Sequence, residues 1–305
     1  MAGPSLIGTD RATLDWLGCA TFRLRVAGLV LLLDAYVDRI PTAPPIGVTS
    51  ADIDRCDWIL IGHSHFDHLW GAQTILKNTH ARVVGSYETA RVLRDLGVPD
   101  NRIVCVSGGE LIRLSPQVSV RVFPSLHSCV WTHTAAPGID EMCIGDLDVD
   151  YFEQQSRASG FIDFVRSLGP EVLEHLAKSD QGARGDGGTL LYLIESAEGS
   201  VLFQDTAGCW SGLLGTVPRP DVAILAAGSR GNLDGNPIQG SLIDFLVTEV
   251  NLLTPHSVIL SHHDDWLPGL TAPIDEDPIR KAVESTDSAP SLVSLGYNSG
   301  FPLFD

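Results

Sequence analysis

The sequence predicts an α/β fold in which sheets pack as a sandwich and present polar side chains along one edge. Three observations carry that prediction. Short apolar runs bounded by glycine or charged residues recur along the chain, with stretches of helical spacing between them. Four of the runs lead directly to a histidine or aspartate: His63, His127, Asp205 and His262. The first of these opens the segment His63-Ser64-His65-Phe66-Asp67-His68, in which three imidazoles and a carboxylate fall within six residues.

Taken in order, Thr13 to Leu17 and Ala20 to Val26 read as strands, and Ala27-Gly28 as the turn into a third run, Leu29 to Leu33, that ends at Asp34. A loop with several prolines, Val37 to Asp52, leads to Trp58-Ile59-Leu60-Ile61, a buried strand ended by Gly62. Leu69, Ala72 and Leu76 then repeat at helical spacing. Ala81 to Gly85 is a strand, and Ser86 caps a helix whose stripe of Ala90, Leu93 and Leu96 stops at Gly97 and Pro99. Ile103 to Val106 and Ser119 to Phe123 are strands, the second delivering His127.

Residues 128–188 lack strand alternation. Phe161, Phe164, Val165 and Leu168 fit one helical face, Gly169-Pro170 interrupts it, and Val172, Leu173 and Leu176 fit another. The glycine-rich stretch Gly182 to Gly188 follows. The block reads as a helical insertion lying over or beside the site, within one domain spanning 1–305. Strands resume at Thr189 to Ile194 and at Val201 to Gln204, which delivers Asp205. Asp221 to Ala227 is a further strand, Leu242 to Leu252 a helix, and Ser257 to Leu260 the strand before Ser261-His262-His263. The rest reads as a polar, proline-containing segment with a short tail. The hairpins Thr21–Asp34 and Leu190–Asp205 share the order strand, glycine turn, strand, aspartate, which suggests a two-fold internal repeat.

Composition narrows the function. With 305 residues and 44% apolar content, the chain can bury a large core. No apolar stretch reaches the roughly 18 residues of a membrane helix, and Met1 to Asp10 show no secretory signal. The six cysteines, Cys19, Cys56, Cys105, Cys129, Cys143 and Cys209, form no CxxC pair, as expected of reduced thiols in a cytoplasm. A net charge of −18, with 20 basic against 38 acidic residues, argues against nucleic acid as a partner. A small-molecule substrate, anionic ones included, remains compatible, because a bound metal ion dominates its local field. Nothing in the pattern specifies an oligomeric state.

Neutral imidazole is the commonest metal ligand, and carboxylate joins it around zinc. Side chains at the ends of neighbouring strands meet on one sheet edge, held by a rigid scaffold. His63 and His65 point the same way in extended chain, while Asp67 and His68 turn toward a neighbouring position. His80, His133, His175 and His256 lack this context and read as surface or packing residues.

HSHFDH resembles the HxHxDH signature of the metallo-β-lactamase-fold hydrolases, and the later order of a lone His, an Asp and a final His resembles theirs too. Trp16-Leu17-Gly18-Cys19-Ala20-Thr21, the Leu29–Leu33 run and Asp34 are similar to the W-x-G-H-x-T and D-P pattern of one subgroup, the ascorbate-6-phosphate lactonase-like and N-acylphosphatidylethanolamine phospholipase D-like proteins. Here Cys19 stands in place of the His and Ala35 in place of the Pro. The resemblance implies a four-layer αββα sandwich and two divalent metal ions, by default zinc, with iron or manganese able to use the same groups. It implies His63, His65 and His127 on one ion, Asp67, His68 and His262 on the other, and Asp205 bridging. It further implies hydrolysis of a small ester, lactone or phosphodiester by a metal-bridged hydroxide, with Asp67 and His262 at the reacting centre.

Several alternatives stay open. His263, next to His262, competes for the last ligand position, and His262 is favoured because it comes first after the strand. His263 and Asp264 otherwise lie near the substrate or behind the ligands. Cys19 is either a small buried filler or a group that touches a metal or tunes the pocket. Asp34 is expected to support the metal site, and Trp131 and His133 to line the pocket. On the same fold, an iron-dependent, dioxygenase-like oxidoreductase is the alternative activity. An amidohydrolase barrel also begins with HxH after a strand, but it needs about eight strand–helix units, which the hairpins do not fit. A metal-binding scaffold without activity is the last alternative.

Overall fold

A computed structural model describes residues 11–304 of the chain. Met1–Asp10, the residues on which the secretory-signal reading rests, lie outside the described residues.

The first half builds one sheet from β1 (Thr13–Trp16), β2 (Phe22–Val26), β3 (Leu29–Leu33), β4 (Trp58–Leu60), β5 (Arg82–Gly85) and β6 (Ile103–Cys105). The second half builds another from β7 (Leu111–Arg113), β8 (Val118–Pro124), β9 (Leu190–Ser196) and β10 (Ser200–Phe203). It continues, past the two-residue β11 (Gly208–Cys209), with β12 (Val222–Ala226) and, past β13 (Asn232–Leu233) and β14 (Asn236–Pro237), with β15 (Ser257–Ser261) and β16 (Ser291–Val293). β17 (Phe301–Pro302) returns to pair with β1, while β11, β13 and β14 form a small sheet of their own. The helices are α1 (Phe66–Leu69), α2 (Ala72–Asn78), α3 (Tyr87–Asp95), α4 (Tyr151–Arg166), α5 (Pro170–Ser179), α6 (Ser211–Leu214), α7 (Leu242–Leu253) and α8 (Glu276–Glu284).

The two halves repeat one pairing scheme. Neighbours from β1 through β6 pair antiparallel, antiparallel, then parallel three times. The series β8, β9, β10, β12, β15, β16 runs in the same order. The suggested internal repeat is thus present in the topology.

Layering follows from which face each strand buries. Phe22, Leu24, Leu31, Leu33 and Leu60 of the first sheet meet Val120, Val122, Tyr192, Phe203 and Ile224 of the second in one central core. The outer face of the first sheet, with Leu32, Ile59 and Val83, is covered by Ile75 and Leu76 of α2 and Val92 and Leu93 of α3. The outer face of the second, with Leu193, Leu202 and Leu225, is covered by Phe245, Leu246 and Val250 of α7 and Ile279 and Val283 of α8. β3 and β12 are covered on both faces, so they read as continuous apolar runs instead of alternating ones. The expected αββα sandwich is the observed architecture.

Two parts of the chain differ from expectation. The closing segment contains α8, β16 and β17. Only Ile279 and Val283 of α8 are buried, and the two-residue β17 is too short to show a period. Between β8 and β9, Phe164 and Leu173 are half exposed and do not join the helical faces assigned to them. Val165, Val172 and Leu176, with Phe161 and Leu168, pack instead on Tyr36, Trp266 and Leu267.

Candidate metal centre

Parallel pairing places the carboxyl ends of β3 and β4 on one edge, and those of β10 and β15 likewise. β8 runs parallel to β10, because each is antiparallel to β9. Asp34, His63, His127, Asp205 and His262 all follow those ends, and they meet with the His65–His68 turn in one cluster. Three of the residues in this region, Cys19, Asp34 and His262, hold non-glycine left-handed φ values of 49°, 56° and 61°. Backbone strain of this kind persists where surrounding structure enforces it, and it concentrates at functional sites.

Hydrogen bonds assign the tautomer of each ring. His63 Nδ1 lies 2.6 Å from Asp205 Oδ2, His65 Nε2 3.0 Å from Gly185 O, His127 Nδ1 2.9 Å from Ser128 O, and His68 Nδ1 2.7 Å from Asp34 Oδ2. Each of these nitrogens donates, which leaves the other nitrogen of His63, His65 and His127 with a lone pair. The ring nitrogens crowd together: His63 Nε2 is 3.1 Å from His65 Nδ1, and His68 Nε2 is 3.3 Å from His262 Nε2. The donor atoms of His63, His65 and His127 lie within 4.8 Å of each other, and so do those of Cys19, Asp67 and His262. Asp205 is fully buried, and its Oδ1 has no hydrogen-bond partner. Close-set ring nitrogens and an orphaned carboxylate oxygen suit a bound cation.

Electrostatics agree. Burial, reinforced by His68 and His65, holds His63 well below the ordinary imidazole pKa. Burial, with His63 and His65, does the same for His127. Both rings are therefore neutral, as ligands must be. Burial opposes the charged form of Asp67, but His68 and His262 outweigh it and hold the carboxyl well below its usual range. Burial raises Asp34 to about 7 and also raises Asp205.

Gly62 makes the approach of Asp205 possible, since a Cβ there would lie 2.1 Å from its carboxylate. A cavity of about 360 Å³ opens over the cluster. Its walls are apolar, with Phe66, Phe161, Val165, Leu176, Trp266 and Leu267, and its floor includes His65, Asp67, His68, His127 and His262. Arg166 is the one Lys or Arg among the lining residues.

The remaining expected residues divide clearly. Asp34 orients His68 and also accepts the Gly62 N–H at 2.8 Å. Of the adjacent pair, His262 turns into the cluster, whereas His263 stacks on Trp16 at 4.3 Å and lies 3.3 Å from Glu276. Asp264 accepts from the Cys19 N–H and from the Tyr297 hydroxyl, and pairs with Arg39. Trp131 and His133 lie outside the cavity lining, which corrects their placement. His133 is drawn instead to Asp146, which Arg157 and Arg230 also hold. His175, expected to be a packing residue, is buried beside the Tyr36 hydroxyl at 2.9 Å. The sequence reading missed Gly185 and Ser128 as orienting carbonyls, because a backbone oxygen leaves no residue signature. It also missed Trp266, which an aromatic two residues past Asp264 could have suggested.

Residues 30–142 match the family described as Beta-lactamase superfamily domain, a span that includes His63 to His127 but not Asp205 or His262. A protein of Pyrobaculum neutrophilum named UPF0173 metal-dependent hydrolase is 35% identical over 113 residues, which is 37% of this chain and 49% of that one. The chain spans about half the length of the curated relatives it matches. Among solved structures, Igni18, a metallo hydrolase from Ignicoccus hospitalis, superposes with a TM-score of 0.60 at 16% identity, covering 94% of this chain and 95% of that one. CmlA, a diiron β-hydroxylase from Streptomyces venezuelae, superposes with a TM-score of 0.53 at 18% identity, covering 95% of this chain and 54% of that one. These likenesses are to the metallo-β-lactamase fold, in agreement with the layering above.

Proposed function

We propose that this protein is a metal-dependent hydrolase of a small ester, lactone or phosphodiester. His63, His65 and His127 would hold one divalent cation, and Asp67, His68 and His262 a second, with Asp205 a further ligand. The observation that carries the reading is the pair of close nitrogen contacts, His63 to His65 and His68 to His262, around the buried carboxylate of Asp205, whose Oδ1 has no partner. The 35% identity to a protein named as a metal-dependent hydrolase, though over part of each chain, supports the same reading.

Bound cations, zinc by donor type, would supply Lewis acidity and lower the pKa of water from about 15.7 to about 7. The protein's own groups do the rest. Asp205, Asp34, Ser128 and Gly185 fix the tautomers of His63, His68, His127 and His65. Asp67 Oδ2, 3.4 Å from His262 Nε2 at the cavity floor, would hold the second cation with that ring. Phe161, Val165, Leu176 and Trp266 exclude water above it. Apolar walls with a single arginine favour an ester or lactone with an apolar portion over a phosphodiester. The Trp16–Thr21 and Asp34 pattern supports the lactonase-like and phospholipase D-like subgroup. All six cysteines are unpaired, which supports a reducing, cytoplasmic setting.

Metal analysis combined with a hydrolysis panel of lactones, phosphodiesters, thioesters and β-lactams tests the reading. Purified protein should carry up to two zinc equivalents, lose activity to a chelator and regain it with zinc, and His63→Ala should abolish both. Undiminished activity in demonstrably metal-free protein would overturn it. Iron in the elemental analysis, with a visible absorption band, would move the assignment to an iron-dependent oxidoreductase.

A further inference from the structure

We infer that Cys19 is itself a ligand of the second cation, so that this position is made by a thiolate, a carboxylate and two imidazoles. The inference rests on the metal-dependent reading above and adds a donor to it. It stands on geometry. Metal–N and metal–O bonds of about 2.0–2.1 Å and a metal–S bond of about 2.3 Å imply tetrahedral edges of about 3.3–3.4 Å between N and O donors, and about 3.5 Å between S and N. Here Asp67 Oδ2 is 3.3 Å from His68 Nε2 and 3.4 Å from His262 Nε2, and the two imidazole nitrogens are 3.3 Å apart. Cys19 Sγ is 3.5 Å from His262 Nε2, and it lies within 4.8 Å of the Asp67 donor. Three donors form one face of a coordination shell, and the sulfur lies one edge length from the His262 donor.

The main chain holds the sulfur there. The Cys19 carbonyl accepts from the His262 N–H at 2.9 Å and from the Trp16 indole at 3.0 Å, and its N–H donates to Asp264 Oδ1 at 3.1 Å. Cys19 and His262 are thus locked together through their backbones, both at positive φ. The side chain is fully buried, yet its close polar neighbours are an imidazole nitrogen and, at 3.7 Å, the Asp67 carbonyl. Binding replaces the S–H bond by a sulfur–cation bond, the proton leaves to bulk water, and nothing is oxidised or reduced. A thiolate biases the position toward softer divalent ions such as zinc, cobalt or cadmium, and away from magnesium and manganese.

X-ray absorption at the zinc edge of the zinc-loaded full chain tests this without any assay of activity. The expected spectrum contains a sulfur scatterer at about 2.3 Å, one per two zinc ions. Cys19→Ser should lose that scatterer, and its cobalt-substituted form should lose the thiolate-to-cobalt charge-transfer band. A shell of only nitrogen and oxygen in the unaltered zinc-loaded protein overturns the inference and leaves the metal-dependent reading standing. A sulfur shell that survives in Cys19→Ser also overturns it. Failure of the unaltered protein to bind zinc at all removes the broader reading and this one with it.

Discussion

One carboxylate, Asp34, joins two parts of the site: its Oδ2 lies 2.7 Å from Nδ1 of His68, and its Oδ1 accepts the N–H of Gly62 at 2.8 Å. Both partners donate, so both oxygens must accept. An amide at this position has one oxygen and one NH2, and the NH2 would point a donor at a donor. Asp34→Asn is therefore expected to release His68 and weaken metal binding by about 10–100-fold, the usual effect of losing an orienting partner. Competition titration with a zinc chelator measures it, and an unchanged affinity would show that Asp34 does not orient His68.

Gly62 is the narrowest point of the site. A methyl group there would lie 2.1 Å from the Asp205 carboxylate. Gly62→Ala should push Asp205 off His63, destabilise the fold by about 1–3 kcal/mol or more and reduce metal content. Urea unfolding and elemental analysis check both. An unfolding midpoint and a zinc count equal to those of the parent protein would contradict the packing described.

Away from the site, Glu249 is fully buried against Gln204 Nε2 at 2.5 Å, and burial raises its pKa from 4.5 to about 8. The folded state thus holds a proton that the unfolded chain gives up near 4.5. Its contribution to stability is complete below pH 4.5, falls as pH rises, and is gone above about 8, at a slope of up to about 1.4 kcal/mol per unit. Glu249→Gln has no proton to lose. Relative to the parent, it should gain stability from pH 5 to about pH 8 in urea titrations and level off above that. A difference between the two proteins that stays constant over that range would refute the account.

The cavity wall makes a prediction about substrates. Val165 is buried, lines the cavity and sits on α4. Each buried methylene of a ligand contributes about 0.8 kcal/mol, so an acyl chain four methylenes longer gains about 3 kcal/mol if the cavity takes it. Val165→Trp should fill that space. kcat/KM for a long-chain aryl ester should drop by about 100-fold while that for the acetate changes little. Equal losses for both esters would place the acyl chain elsewhere.

Much of the site was legible in the sequence because its chemistry is local. His63, His65, Asp67 and His68 sit on one turn, and their type and spacing mark a candidate metal site before any fold is known. The strand endings at His127, Asp205 and His262 were legible for a related reason: an apolar run that stops at a polar group marks a sheet edge. The matching hairpins foreshadowed the repeated pairing scheme. Trp131 and His133 failed as cavity residues because nearness in sequence to His127 says nothing about direction, and Asp146 draws His133 away. α8 escaped notice because two buried side chains, Ile279 and Val283, anchor an otherwise polar helix.

By itself, then, the order of residues determined the layered α/β class, the candidate site residues and the strands that carry them, since hydrophobic period and side-chain chemistry are properties of short stretches. Tertiary structure alone decided that His262 and not His263 enters the cluster, that the sulfur of Cys19 lies 3.5 Å from it, and that α4 and α5 wall the cavity. Those outcomes depend on the handedness of single φ angles and on packing between segments up to 245 residues apart, as in the Cys19–Asp264 bond, and no local pattern encodes them.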